Sequence, residues 1–402
     1  MTDRKPASND VCIVGGLGRV GLPLGLSFAR AGQRVVLYDI DEEKARLVHS
    51  GTMPFREEDA EDVLREVLGR QLFLSADVSA VSSARFIIIV IGTPVDEHLN
   101  PQAGALNRLL RDIAAHLRDD HHIVLRSTLF PGTTERIWRD LRSRGLRTRV
   151  SFCPERIAEG RAMAELRSLP QIISSCDDDG IAEARELFSR LTRDIVVLRP
   201  LEAELAKLFT NAWRYIHFAI SNQFFQIAAQ HDVDYYRIHE AMTHNYPRTY
   251  GLATAGLTAG PCLFKDTMQL AAFSNNTFFL GHSAMLINEG LPNVIVQKLK
   301  ERHLLRDRTV GILGMAYKGD SDDARASLSY KLKKILELEA RAVLCTDPHV
   351  RDESLLPLDD VISRADILVL GAPHGIYRDL TFDRSAKIVV DLWNFWGGGG
   401  LF

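Results

Sequence analysis

The sequence predicts an α/β protein in which two parallel-sheet halves flank a helical middle. Three observations carry that expectation. Near the N-terminus a β-branched run leads into Gly16-Leu17-Gly18-Arg19-Val20-Gly21 and an apolar helical stretch. From Thr309 to Asp347 the same order returns: strand, loop, helix, strand, acid. Between them, positions 201 to 230 hold neither glycine nor proline and repeat apolar residues at helical spacing. A length of 402 residues fits two to three domains of about 100–200 residues each.

Composition narrows the function classes. The chain is 46% hydrophobic and 25% charged, which supports sizeable cores. A net charge of -3 provides no basic field, so nucleic acid is not an expected partner. The five cysteines (Cys12, Cys153, Cys176, Cys262, Cys345) are odd in number and lack a CxxC pair, which disfavours disulfides and structural zinc and favours a reducing compartment. No histidine falls in an HExxH pattern; His121-His122 reads as a loop pair, and no metal is expected. Met1 to Asp10 is polar with no apolar core, so no secretory signal is expected and the location reads as cytoplasmic. The longest apolar run, Phe86 to Ile91, falls far short of the ~20 residues a membrane span needs.

Taking the elements in order, Val11-Cys12-Ile13-Val14 is a strand, Leu22 to Ala31 a helix, and Gln33 to Tyr38 a second strand closing on Asp39. Glycines at 16, 18 and 21 permit a tight turn and close approach of backbone to a pyrophosphate, with Val20 in the same turn. The helix N-terminus faces the phosphates, and Asp39, 18 residues past Gly21, accepts from ribose hydroxyls. This is the Rossmann fingerprint in its required context, and an acid rather than an arginine at that strand end favours NAD over NADP. Lys44 is placed either to reach the adenosine ribose or to be a solvated helix lysine.

Ala84 to Ile91 reads as a strand buried on both faces, ended by Gly92-Thr93-Pro94. His122 to Arg126 leads into Ser127-Thr128, and Val150 to Cys153 into Pro154-Glu155. In a doubly wound sheet ligands sit beyond the C-terminal strand ends, so Thr93, Thr128 and Glu155 are expected to converge there. Turn chemistry alone also accounts for the two threonines. Glu155 reads as functional, because an acid behind a proline has no evident structural duty.

Leu201 to roughly Gln230 makes one helix of about 30 residues, about 45 Å long. Glu204, Lys207 and Asn211 share one face of it, as a surface ladder or as an inward polar stripe. Another helix is expected from Asp232 to Thr243, then a flexible glycine-bearing loop from Gly251 to Gly260. Cys262 follows in Gly260-Pro261-Cys262-Leu263-Phe264-Lys265-Asp266, with a helix expected to start just after the loop, at Met268 to Phe273. A thiol attacks only as thiolate, which nearby positive charge and a helix N-terminus favour. A free cysteine is also often a small buried hydrophobe. Phe278 to Lys300 is expected to be helical with an interruption near Pro292. In the last quarter, strands are expected at Ala342 to Thr346, Ala365 to Leu370 and Ile388 to Asp391, with Lys318 and Arg325 as anion contacts.

With these pieces assembled, the chain resembles the UDP-glucose/GDP-mannose dehydrogenase family over nearly its whole length. The matching segments are Gly16–Leu24, Ile91–Pro94, Ser127–Thr134, Pro154–Gly160, the Glu204/Lys207/Asn211 helix, Gly260–Asp266 and Leu313–Arg325. The resemblance implies an NAD-binding Rossmann domain (1–200), a helical dimerisation domain (201–300) and a C-terminal Rossmann-like domain for the nucleotide sugar (301–402). It implies a homodimer through the long helix and a four-electron oxidation of C6 from hydroxymethyl to carboxylate. Cys262 would be the nucleophile, Lys207 and Asn211 the oxyanion donors, and Asp266 and Lys207 the holders of a water, with Thr128 and Glu155 around it. Glu155, Glu159, Lys207, Asn211, Lys265 and Lys318 would contact substrate. Gly16, Gly18, Val20, Gly21, Asp39, Lys44, Thr93, Thr128 and Arg325 would contact NAD. The chain departs from the common pattern at His217, where many members carry lysine, at Ser174-Ser175 and Ala259, where glycine pairs are common, and at Leu263-Phe264-Lys265 in place of leucine-proline-lysine. UDP-glucose is the leading expected substrate. UDP-N-acetylhexosamine, TDP-glucose, GDP-mannose and a non-catalytic nucleotide-sugar binder are the alternatives.

Overall fold

The computed structural model describes residues 9–93, 95–96, 104–257, 260–383 and 386–397; Pro94 and Ala259 lie outside them. The chain forms two compact units, Met1–Thr210 and Asn211–Phe402, and the division falls inside the long helix Pro200–Gln230 of 31 residues.

The first unit holds an eight-stranded sheet: β1 (Asn9–Val14), β2 (Val35–Tyr38), β3 (Leu72–Ser75), β4 (Ala84–Ile89), β5 (His122–Leu125), β6 (Arg149–Phe152), β7 (Gln171–Ser175) and β8 (Ile195–Val197), in the order β3-β2-β1-β4-β5-β6-β7-β8. Apart from the antiparallel β6–β7 pair, the pairings are parallel. Both faces are covered, which explains the continuous apolar runs. Val11, Ile13, Phe86 and Ile88 belong to one core with Leu22, Leu26 and Phe28 of the helix Gly21–Arg30. Cys12, Val14, Ile87 and Ile89 belong to the opposite one with Ile113 and Ile137. Ser174 and Ser175 donate to the carbonyls of Phe152 and Val150 at 2.9 and 3.0 Å, cross-linking β6 and β7 at the switch in strand direction. Strands β3, β7 and β8 had no clear sequence signal; β8 has three residues, two of them exposed.

In the second unit four parallel strands, β9 (Thr309–Leu313), β10 (Ala342–Thr346), β11 (Ile367–Leu370) and β12 (Ile388–Val390), run in the order β10-β9-β11-β12. Helices Tyr235–Thr243, Leu263–Phe273 and Phe279–Arg302 precede them. The expected interruption at Pro292 is corrected: the helix runs through it. An internal proline costs about 3 kcal/mol. Here Leu291, Ile295, Val296 and Leu299 are buried in one cluster with Val310, Leu332 and Leu336, and that burial outweighs the lost backbone bond.

Within the Gly251 to Gly260 loop, the expected flexibility is corrected over residues 252–256. His239 Nε2 lies 3.1 Å from the carbonyls of Leu252 and Ala253, Ser221 donates to Ala253 at 2.7 Å, Tyr236 to Ala255 at 3.3 Å, and Asn222 accepts from the Gly256 amide at 2.9 Å. Residues 252–256 are therefore pinned, not loose.

Candidate active site

The first constellation sits at the C-terminal ends of adjacent strands β2, β1, β4 and β5. The turn after β1 is drawn in by the amides of Gly15 and Gly16, which donate to Tyr38 at 3.0 and 3.2 Å. A Cβ on Gly16 would stand 2.7 Å from that of Leu37, so only glycine lets the turn lie against β2. The helix that starts at Gly21 has no side-chain cap and no acid in its first turn. An uncapped, acid-free helix start behind a close-packed glycine turn fits a pyrophosphate. Asp39 braces the turn: Oδ2 accepts from Leu17 N at 2.9 Å and Oδ1 from Asp41 N at 3.2 Å. Val20 holds the N-cap position. Lys44 is paired with Asp41 at 2.6 Å near the surface. Thr93 Oγ1 donates to the carbonyl of Thr128 at 2.8 Å, tying the loops after β4 and β5 together.

Glu155 has the structural duty that the sequence did not reveal. Arg126, almost fully buried, donates through Nε to Glu155 Oε2 at 2.8 Å and through Nη1 to Cys153 O and Gln171 Oε1. The other oxygen, Oε1, accepts from the amides of Arg156 and Ile157 at 2.7 and 3.0 Å. The carboxylate thus orders the loop after β6. Arg126 was missed because a strand-end arginine reads as exposed until its acid is known. Glu159 lies half-buried in the following turn. The His121-His122 loop pair is likewise corrected: both are buried, and His122 opens β5, with Nδ1 2.9 Å from Glu183 and Nε2 2.7 Å from Ser151 Oγ.

The second constellation is built on the helix Leu263–Phe273. It begins directly after the cysteine, earlier than expected, so Cys262 occupies the N-cap and is exposed. Burial pushes the thiols of Cys12, Cys153 and Cys176 up to about 12 and that of Cys345 to about 11. Those four are therefore inert neutral thiols at physiological pH. Asp266 is fully buried one turn below Cys262, with Lys265 Nζ 2.6 Å from its Oδ1 and Asn211 Nδ2 2.6 Å from its Oδ2. Asn211 reaches it from the long helix. Lys207, one helical turn earlier, is half-buried within the N-terminal unit.

Further along, the loop after β9 repeats the N-terminal bracing. Asp347, at the end of β10, accepts from the amides of Met315 and Ala316 at 2.6 and 2.9 Å. His374 Nε2 lies 3.0 Å from the same carboxylate, and Asp320 N donates to His374 Nδ1 at 2.9 Å. Burial opposes ionisation of Asp347, but His374 and the backbone donors of His349 and Val350 hold its carboxyl well below the usual range. Asp320, His349 and His374 come close enough to suggest a cation site. Both ring nitrogens of His374 are already engaged, so this cluster is a loop clamp. Lys318 lies 5.7 Å from the Tyr317 ring centre, and Arg325 binds Asp323 through Nε and Nη2 at 2.6–3.0 Å.

The chain has counterparts among known proteins over nearly its whole length. The NAD binding domain of the UDP-glucose/GDP-mannose dehydrogenase family matches residues 9–192, its central domain 201–289 and its UDP binding domain 311–398. The chain belongs to this family. It is an NAD-dependent dehydrogenase that oxidises a nucleotide sugar. The UDP-N-acetyl-D-mannosamine dehydrogenase of Pyrococcus horikoshii is 30% identical over 394 residues, covering 94% of this chain and 93% of that one. An NDP-N-acetyl-D-galactosaminuronic acid dehydrogenase of Ralstonia nicotianae is 25% identical and covers 95% of both chains. The solved UDP-D-ManNAc dehydrogenase of P. horikoshii superposes with a TM-score of 0.88 at 28% identity, covering 95% of this chain and 94% of that chain. A UDP-glucose dehydrogenase from Pyrobaculum islandicum gives 0.87 at 25% identity, covering 97% and 95%.

Proposed function

We propose that the chain converts the C6 hydroxymethyl of a UDP-N-acetylhexosamine to a carboxylate, using two NAD+ per sugar. The observation that carries the four-electron chemistry is Cys262 at the head of a helix, beside the Asp266–Lys265–Asn211 cluster. The substrate class is supported by the N-acetylated sugars named for the relatives at 25–30% identity, and UDP-glucose, the leading expectation from sequence, gives way to it.

Bound NAD+ supplies the hydride acceptor in both oxidations. In the first, a water held by Asp266 and Lys207 takes the hydroxyl proton as hydride leaves C6. The Cys262 thiolate then adds to the aldehyde carbon, and the new oxyanion is stabilised by Lys207 and Asn211, where one such donor is typically worth about 3 kcal/mol. The thiohemiacetal carries a hydrogen on C6 and loses it as the second hydride, leaving a thioester. Water attacks that carbon, the C–S bond breaks, and the acid leaves with the thiolate restored. Asn211 carries two N–H groups, and its bond to Asp266 orients the amide for this task. Thr128 and Glu155 order the loops around the reacting group. Glu159, Lys265 and Lys318 contact the nucleotide sugar. Lys44 and Arg325 contact the cofactor. On this reading 1–200 binds NAD, 201–300 dimerises and 301–402 binds the nucleotide.

The test is NADH release from a panel of nucleotide sugars. Two NADH per sugar with a UDP-N-acetylhexosamine, and little with UDP-glucose, is the expected result. UDP-glucose as the better substrate overturns the sugar assignment, and one NADH per sugar overturns the thioester route.

A further inference from the structure

Gly260, two residues before Cys262, adopts φ +101°, a region that side chains disfavour. It is also crowded. A Cβ there would lie 2.5 Å from Cδ2, 2.8 Å from Cε2 and 3.2 Å from Cγ of Tyr317. The backbone entering the cysteine loop therefore rests on the ring of a residue in the loop after β9. That ring is the one beside the Lys318 ammonium. The ring's own loop is held at several points: Tyr317 N donates to Asp323 O at 3.0 Å, Asp347 binds the amides of Met315 and Ala316, and His374 binds that of Asp320. Upstream, the ring of Trp393 leaves no room for a Cβ on Gly256, and Trp393 Nε1 is anchored to Leu370 O at 3.2 Å. The cysteine loop is thus seated on two rings of the nucleotide-binding half, and one of them, Tyr317, adjoins a cation suited to a diphosphate.

We propose that Tyr317 is a positioning residue that couples nucleotide occupancy at Lys318 to the presentation of the Cys262 thiol. The proposal rests on the reading of 301–402 as the nucleotide-binding part. A diphosphate drawing Lys318 away from the ring changes what the ring packs against, and Gly260 follows because its α-carbon lies directly on it. The effect needs the ring and not its hydroxyl, since the atoms nearest Gly260 are ring carbons.

The experiment uses the full chain, with UDP as the probe and iodoacetamide alkylation of Cys262 located by mass spectrometry. In the wild type UDP should change the alkylation rate by roughly fivefold or more. Tyr317→Ala should bind UDP, read by its thermal shift, yet alkylate at a rate indifferent to it. Tyr317→Phe should behave as wild type. If Tyr317→Ala does not fold, Tyr317→Leu, which fills space without a ring, replaces it. In turnover, the ring-less variant should leak trappable aldehyde and fall from two NADH per sugar towards one, with KM little changed. A wild-type rate unaffected by UDP, a ring-less variant that keeps the response, or one that only raises KM overturns the proposal. The alkylation readout needs no turnover, so a failure of the proposed reaction would show separately, as absent NADH in the wild type.

Discussion

At the scale of single residues, Cys262 and His121 show how position decides chemistry. Cys262 is the exposed member of a set whose other four thiols are held neutral by burial. Cys262→Ala should abolish acid formation while NAD binding, followed by protein fluorescence, persists; normal uronate production would remove the thiol from the mechanism. Burial first, and the Arg118 charge second, push His121 down from 6.5 to about 4. A histidine depressed on folding stabilises the folded state fully above its unfolded value and loses that contribution as pH falls through the folded one. Between pH 6.5 and 4 the first unit should therefore lose on the order of 3 kcal/mol, and His121→Asn should flatten the urea-midpoint profile across that window. Glu183, brought to about 2 by His122 and Arg85 against the opposing effect of burial, adds a second loss at still lower pH. The Ser151–His122–Glu183 line resembles a nucleophile–base–acid array in its distances. Ser151 and His122 are wholly buried, so it is a polar bolt inside the sheet.

At the scale of elements, the long helix serves another helix as well as itself. Glu204 accepts from Gly132 N at 2.6 Å, Thr134 N at 2.8 Å and Thr134 Oγ1 at 2.6 Å. The helix Thr133–Ser143 has no side-chain cap of its own, so Glu204 caps it from outside. Removing the carboxylate strands several buried donors. Glu204→Ala should cost about 3 kcal/mol in the urea transition of the first unit, and Glu204→Gln, which keeps one acceptor, clearly less. Helical spacing correctly placed Glu204, Lys207 and Asn211 on one face. Spacing carries no information on who meets that face, and the acid turned out to belong to the fold.

At the scale of the whole molecule, the long helix exposes Phe209, Trp213, Ile220, Phe224 and Ile227, the first two at 54% and 63%. Their spacing makes one continuous apolar stripe, the kind of surface that marks an interface. His217 stacks on Trp213 with ring centres 4.9 Å apart and so belongs to this stripe. A homodimer is expected by light scattering at micromolar concentration, and Trp213→Glu should shift it towards monomer. A wild-type monomer would reject the interface. Among the described residues no helix is long and apolar enough to cross a membrane.

Patterns confined to neighbouring residues were enough to read the α/β class, the NAD turn, the long helix and the cysteine motif. Each rests on local rules: the two-residue repeat of strands, the 3.6-residue repeat of helices, and the glycines a tight turn requires. What folding alone settled concerns partners remote in the chain. Arg126 claims Glu155 across 29 residues, Asn211 finds Asp266 across 55, and Glu204 caps Thr134 across 70. The ring of Tyr317 beneath Gly260 is another such meeting. The reason is that a carboxylate or a ring shows its chemical type in the sequence, whereas which donor satisfies it depends on contacts that exist only after the chain has closed on itself.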